Sequence, residues 1–373
     1  MSFLQEHLGY VDDQVRVQAY QKAINLLVRP GQRVVDLGCG TGVLGLMCLA
    51  AGAEHVYALD RSPMSEIAWQ TFHRSGRSEQ ATVIRGESTR VSLPERVDVV
   101  IADQVGYFGF DYGIVEQYAD AARRFLKPGG ILIPNRLRLK VAAVESDETY
   151  RQVAQWAGPS IPPGLRWLRE LAANCKYAAK LGPQNLLAET VTLADIDLYA
   201  NNPSFFSWTA EMSIQRDGNL HGIAGWFDCE LTQDVWITNS PSSTAPVNRP
   251  QAFFPIERPT AVKPGDVVRV TVLARPADRE ITWVVDLPSG SQHKQSTWKS
   301  DLVSQADLAR ALPSHVPTLT SMAIARRIVL DFCDGHRSVD AVHRAVVASH
   351  PNLLPSTEEI RVFVAEVLRK DTL

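Results

Sequence analysis

Val34-Val35-Asp36-Leu37-Gly38-Cys39-Gly40-Thr41-Gly42-Val43-Leu44-Gly45 is the stretch whose reading decides the fold. An apolar run closes on an acid and passes into glycines, the pattern of a buried strand feeding a tight turn and then a helix. Gly40, Gly42 and Gly45 fall in the register of a dinucleotide fingerprint, in which a pyrophosphate rests on the helix N-terminus. Asp36 argues against a phosphate there. A fixed negative charge at the strand's carboxyl end repels a pyrophosphate and attracts the methionine ammonium of S-adenosylmethionine, while the glycines still let backbone approach the ligand closely. The next apolar run, His55-Val56-Tyr57-Ala58-Leu59, closes on Asp60, about where an acid meets a ribose diol. The stretch favours S-adenosylmethionine, with a nicotinamide cofactor or a glycine turn without ligand as the other readings.

At 373 residues the chain exceeds one ordinary domain and suggests two or three, each able to bury its own core. A net charge of −3 and a pI near 6.3 give no basic footprint for nucleic acid, so a DNA or RNA partner is disfavoured. Five cysteines are scattered without a CxxC pair, which predicts reduced thiols, and no metal-ligand pattern is read. Met1-Ser2-Phe3-Leu4-Gln5-Glu6-His7 lacks the basic start and apolar run of a signal peptide, and no stretch reaches the length of a membrane span. The expectation is a cytoplasmic protein with no membrane partner.

From about Asp12 to Leu27 the spacing predicts a helix, with Arg16 in its first turns and Pro30-Gly31 beyond its end. After the glycine turn come a helix to about Ala51, the strand ending in Asp60, a helix around Ser65 to Phe72, and a strand near Ala81 to Arg85. The run Val97 to Ala102 reads as a strand of a parallel sheet covered on both faces. Alternating strands and helices give an open α/β, Rossmann-like sheet with its ligand crevice at the carboxyl ends of the strands. The loop Asp103-Gln104-Val105-Gly106-Tyr107-Phe108-Gly109-Phe110-Asp111-Tyr112 falls at that crevice. A helix from about Ile114 to Leu126 is expected to stop at Lys127-Pro128-Gly129-Gly130.

Composition changes at Pro134. Short alternating runs at Leu137 to Glu145, Glu189 to Leu198, Phe206 to Ile214, Ile223 to Thr232 and Asp266 to Leu273 predict an antiparallel sandwich or barrel. It is interrupted at roughly Tyr150 to Leu187 by a helical insert rich in apolar residues, read either as an interaction arm or as a segment packed on its own barrel. Beyond about Asp301 the chain reads as a small helical domain. Ile324, Ile328, Val329 and Phe332 form one stripe, and Val339, Val342, Val346 and Val347 another; Ser356 caps a third helix. The resulting division is residues 1–134, 135–300 with the arm at about 150–187, and 301–373.

Residues 10 to about 285 resemble a protein arginine methyltransferase. The resemblance rests on the Val15-Arg16 helix, the turn from Val35 to Gly42, Asp60, the Asp103 to Tyr112 loop with its Gly-Tyr-Phe core, and Leu126-Lys127-Pro128-Gly129-Gly130 with Pro134 beyond. It implies a class I methyltransferase sheet, then a β-barrel carrying a helical dimerisation arm, hence a homodimer that uses S-adenosyl-L-methionine. By resemblance Arg16 holds the methionine carboxylate, Gly38 and Gly40 line the cofactor, Asp60 takes the ribose, and Ser88 and Thr89 stand at the adenine. More faintly, Ile328 to Gly335, Ser338 to Val342 and the closing helix resemble PqqD-like domains, which hold the leader of a ribosomally made peptide.

The departures redirect the function. The family clamps a substrate guanidinium between two glutamates of this loop, because a planar cation that never loses its charge takes bidentate anionic partners. Here those positions are Asp103 and Tyr112, and the family's His-Trp pair in the barrel is replaced within Val247-Asn248-Arg249-Pro250-Gln251. Removing one anion weakens the preference for a cation by about 1.5–3 kcal/mol. A less basic acceptor needs a hydrogen-bond acceptor or base, for which Asp103 is the candidate, with Tyr112 orienting the acceptor. Asp111 and Glu116 could restore the lost charge, and Arg249 could meet a substrate carboxylate if it reaches the site. The sequence therefore predicts N-methylation of a peptide or amino-acid-derived metabolite in natural product biosynthesis. The alternatives are a small-molecule O- or N-methyltransferase, free arginine included, and a catalytically silent cofactor-binding partner protein.

Overall fold

In the computed structural model, which describes residues 3–372, the chain forms one compact unit ending at Asp301 and a second beginning at Leu302. The first opens with α1 (Phe3–Asp12) and α2 (Gln14–Leu27), then alternates β1 (Arg33–Leu37), α3 (Val43–Ala50), β2 (His55–Asp60), α4 (Met64–Arg74), β3 (Ala81–Arg85), β4 (Val97–Ala102), α5 (Ile114–Arg124) and β5 (Leu126–Ile133). All five strands are parallel, in the order β3-β2-β1-β4-β5. Helices cover both faces, so Val34, Val35, Val99, Val100 and Ile101 are fully buried. The chain winds outward from β1 to β2 and β3, then returns to β4 on β1's other side. That reversal opens a crevice beyond β1 and β4.

Two elements differ from expectation. The helix α1 falls outside the sequence expectation, which places helix only from about Asp12. The helix α5 ends at Arg124, and Lys127-Pro128-Gly129-Gly130 runs inside β5, where a register shift opposite Val97 to Val99 admits the proline and the left-handed Gly129 at φ 74°.

The antiparallel region comprises β6 (Arg136–Val144), α6 (Asp147–Ala154), α7 (Leu168–Ala173), β7 (Tyr177–Ala179), β8 (Val191–Asp197), β9 (Phe206–Ser213), β10 (Gly218–Thr232), β11 (Val235–Thr238), β12 (Gln251–Val262), β13 (Val267–Arg275), β14 (Glu280–Asp286) and β15 (Gln292–Ser296). The expected barrel is built as two sheets, β7-β12-β10-β6-β8 with β11 on β10, and β15-β14-β13-β9, joined by an isolated bridge between Ala188 and Ile214. They share a core through Phe254 and Trp283, whose indole N–H donates to Pro255 O at 2.7 Å. The insert starts at Asp147, capped by Ser146, and ends in β7. Within it Ala172 and Ala173 are buried, whereas Leu165 and Trp167 are 46% and 54% exposed.

The second unit holds α8 (Gln305–Ala311), α9 (Ser321–Leu330), α10 (Val339–Ser349) and α11 (Thr357–Asp371), with Ser304, Thr320, Ser338 and Ser356 as N-caps. Val329, Val342, Val346, Ile360, Val364 and Val367 make its core. Val339 and Ile324, expected inside, are exposed; Val339 is the first helical residue and turns away from the stripe.

Candidate active site

A cleft of about 510 Å³ lies at the carboxyl ends of β1, β2 and β4, walled by Gly38, Asp60, Ser88, Asp103 and Tyr112 and overlaid by His7 and Tyr10 of α1. The turn after β1 needs glycine. Gly38, Gly40 and Gly42 hold φ of 66°, 54° and 81°, and a Cβ on Gly38 would collide with the Gln104 side-chain amide. Asp60 organises the same turn: Oδ2 accepts from Gly40 N at 3.0 Å, and Oδ1 accepts from Ser62 N and Oγ at 2.8 and 2.7 Å.

Asp36 does not greet a ligand. It is 1% exposed, lies outside the cleft wall, and accepts the Gly45 amide at 3.0 Å. Burial pushes its carboxyl up to about 7 against the lowering effect of that bond. The acid that ends β1 is thus an internal brace for the N-terminal turn of α3, because side chains of this central strand point into the packed layers on either side. Thr89, which is exposed, also lies outside the wall; Ser88 and the unanticipated Glu87 line it, Glu87 paired with Arg61 at 3.1 Å.

Asp103 is the centre of a buried charge cluster. Arg16 touches its carboxylate, Tyr20 OH donates to it at 3.3 Å, and Arg249 stands 3.7 Å away; the three charged side chains are 7–9% exposed. Arg16 Nη1 also donates to Tyr10 O at 2.6 Å, and the Tyr10 ring lies 5.0 and 5.4 Å from the two guanidinium carbons. Burial brings Arg16 down to about 10, still charged at neutral pH. Its Nε has no partner among the described residues.

The loop after β4 places Tyr112 on the cleft wall, 42% exposed, with its phenol held neutral by burial and by a hydrogen bond with Tyr107. Asp111 restores no free charge. Its Oδ1 accepts Phe108 N at 3.1 Å and Oδ2 contacts Lys176, which latches the loop to the insert just before β7. Glu116 is half-buried, its carboxyl raised by burial, and it is not among the residues lining the cleft.

Asn239 was silent in the sequence. Fully buried, it donates to Tyr107 O and Pro250 O at 2.9 and 2.8 Å and accepts from Phe227 N at 2.9 Å, so it splices the Asp103 loop to the Arg249 segment. Asp13, the N-cap of α2, accepts Asn248 N at 2.7 Å and fixes the same segment from the other side. Only the Asp-x-x-Arg spacing of a helix cap hinted at Asp13, and nothing local marked Asn239.

The residues fit a nucleoside-bearing methyl donor. The cleft volume suits a cofactor, the turn exposes backbone, Asp60 and Ser88 line it, and Arg16, with a buried orphan Nε, sits against the lining residue Asp103. A model described as Methyltransferase domain matches residues 34–130, and one described as Arginine methyltransferase oligomerization subdomain matches residues 135–286. The chain is therefore an S-adenosylmethionine-dependent methyltransferase. Within that class its architecture is that of the protein arginine methyltransferases. It is 29% identical over 289 residues to protein arginine N-methyltransferase 1 of Schizosaccharomyces pombe, covering 73% of this chain and 82% of that one. Its identity to protein arginine N-methyltransferase 1 of Chlamydomonas reinhardtii is 28% over 247 residues, covering 64% and 72%. In fold it matches the Trypanosoma brucei PRMT1 enzyme-prozyme heterotetrameric complex with AdoHcy, with TM-score 0.69, 20% identity, and 78% and 96% of the two chains covered. Arabidopsis thaliana protein arginine methyltransferase 10, in an open conformation, gives 0.68 at 23% identity, covering 79% and 98%.

Proposed function

We propose that this methyltransferase methylates a nitrogen of a peptide or amino-acid-derived metabolite in natural product biosynthesis, not the guanidinium of an ordinary protein arginine. The observation that carries the reading is the state of the acid pair: Asp103 is engaged by the chain's own Arg16, with Arg249 beside it, and the second position is the neutral Tyr112. An incoming guanidinium meets a carboxylate already neutralised and a nearby like charge. When bound, S-adenosylmethionine supplies an electrophilic methyl group. The chain's residues position the acceptor and keep its lone pair free: Asp103 accepts a hydrogen bond from the acceptor nitrogen, Tyr112 orients it, and Arg16 and Asp60 hold the donor's carboxylate and ribose. Transfer from tritium-methyl donor to a panel of peptides and amino acids tests this. Label on guanidine-free acceptors supports it; label confined to arginine, or donor bound with nothing labelled, rejects it.

Two further parts belong to the reading. The exposed Leu165 and Trp167 of the arm fit a homodimer contact, so sedimentation equilibrium should give twice the 41.2 kDa chain mass; a single-chain mass rejects it. The unit beyond Asp301 is read as a handle for a peptide leader, resembling PqqD-like domains, though it presents no strand among the described residues. Ending the chain at Asp301 is then expected to slow methylation of leader-bearing substrates alone; equal loss on minimal substrates makes the unit structural.

A further inference from the structure

Among the described residues, Nη1 of Arg249 is a buried donor without a partner, on a side chain only 7% exposed that lines the cleft. A guanidinium offers five donors in a planar fork, and leaving one unmade inside a protein is costly. The nearby acids cannot satisfy it. Asp103 already holds Arg16 and Tyr20, and its 3.7 Å separation from Arg249 Nη2 is longer than a hydrogen bond. Asp13 is committed to backbone, its two oxygens accepting Arg16 N at 3.2 Å and Asn248 N at 2.7 Å.

A second observation has the same sign. Arg279, exposed to solvent, lines the same cleft from the turn between β13 and β14, with φ 57°, and its side chain has no protein partner among the described residues. The acids that could balance it are engaged elsewhere: Asp60 with Gly40 and Ser62, Glu87 with Arg61, Asp111 with Lys176. The cleft is thus lined by one buried arginine with an unused donor and one exposed arginine.

We propose that Arg249 is the acceptor-recognition residue of this site and that its free fork takes a carboxylate of the molecule to be methylated, with Arg279 on the approach. This deepens the reading above and rests on it: the acceptor is an acid. A carboxylate is the planar partner that a guanidinium edge holds through two parallel bonds, and in a cleft shielded by Tyr10 such a bond is little weakened by water.

The test uses the full chain saturated with S-adenosylhomocysteine. The probes are free amino acids against their amides, and a tetrapeptide library with free carboxyl ends against the same library amidated. Binding is followed by saturation-transfer NMR for the unaltered chain, Arg249→Gln and Arg249→Lys. The expected result is a preference of roughly tenfold or more for acid over amide in at least one set. Arg249→Gln abolishes that preference, Arg249→Lys keeps part of it, and S-adenosylhomocysteine affinity stays within about threefold, which also shows that the variants fold. No acid preference in either set overturns the proposal, as does a preference that survives Arg249→Gln. A roughly tenfold loss of S-adenosylhomocysteine affinity in Arg249→Gln also overturns it, because Nη1 then serves the cofactor. Tritium transfer separates the two readings. Amides labelled as well as acids refute the carboxylate role and leave methyl transfer intact. Arg249-dependent binding of acids with no label on any of them refutes the transfer reading and leaves the site standing.

Discussion

Asp103→Asn is expected to lower turnover by ~10²-fold or more while S-adenosylhomocysteine affinity stays within a few-fold. Asparagine keeps the shape and an oxygen for the Tyr20 contact but removes the anion and replaces the second acceptor oxygen with an NH2 donor, leaving the substrate's N–H without a charged acceptor. The same carboxylate is the counter-charge of two guanidiniums that are 7–9% exposed. Breaking a buried pair by removing one partner costs about 3–5 kcal/mol, a large share of a stability of about 5–15 kcal/mol. The variant should therefore melt lower, and turnover must be compared per folded molecule below that melt. Undiminished turnover would remove Asp103 from the reaction.

Asp111→Ala is expected to destabilise the first unit by about 3 kcal/mol, read as a lower urea midpoint at unchanged slope. Asp111 is 5% exposed and makes two kinds of contact at once, bracing Phe108 N within the loop and meeting Lys176 from outside it. Gly106 is bare because that carboxylate fills the space its Cβ would take. Without Asp111 the loop loses its latch, and Tyr112, the next residue, loses its fixed approach to the cleft. Lys176→Ala is expected to lower the midpoint as well, since it leaves the 5% exposed Asp111 carboxylate with only its bond from Phe108 N. A midpoint unmoved by Asp111→Ala would mean that the loop is held by its buried aromatics Phe108 and Phe110 alone.

The parallel sheet was legible because each of its inner strands is a short apolar run bounded by a turn, and Val97 to Ala102 was placed to the residue. The strand β12 was not. Pro255 and Pro259 interrupt it, and prolines argue against an inner strand unless a bulge admits them, as the register shift between Leu220 and Gly222 does here. Asp60, Ser88, Asp103 and Tyr112, named from the sequence, all line the cleft. Asp36 was misread because the position of an acid at a strand's end does not reveal which way its side chain turns. Arg249 and Asn239 lie more than a hundred residues from the loop they meet, a proximity set by the packing of the antiparallel sheets on the first.

The most direct test of the account is the position of the transferred methyl group. Incubation with a deuterium-labelled methyl donor and a mixed pool of peptides and amino-acid-derived metabolites, followed by fragmentation mass spectrometry, locates the label. The account predicts a labelled, carboxylate-bearing product in which the methyl group sits on a nitrogen outside any guanidinium. Label found only as methylarginine would contradict it.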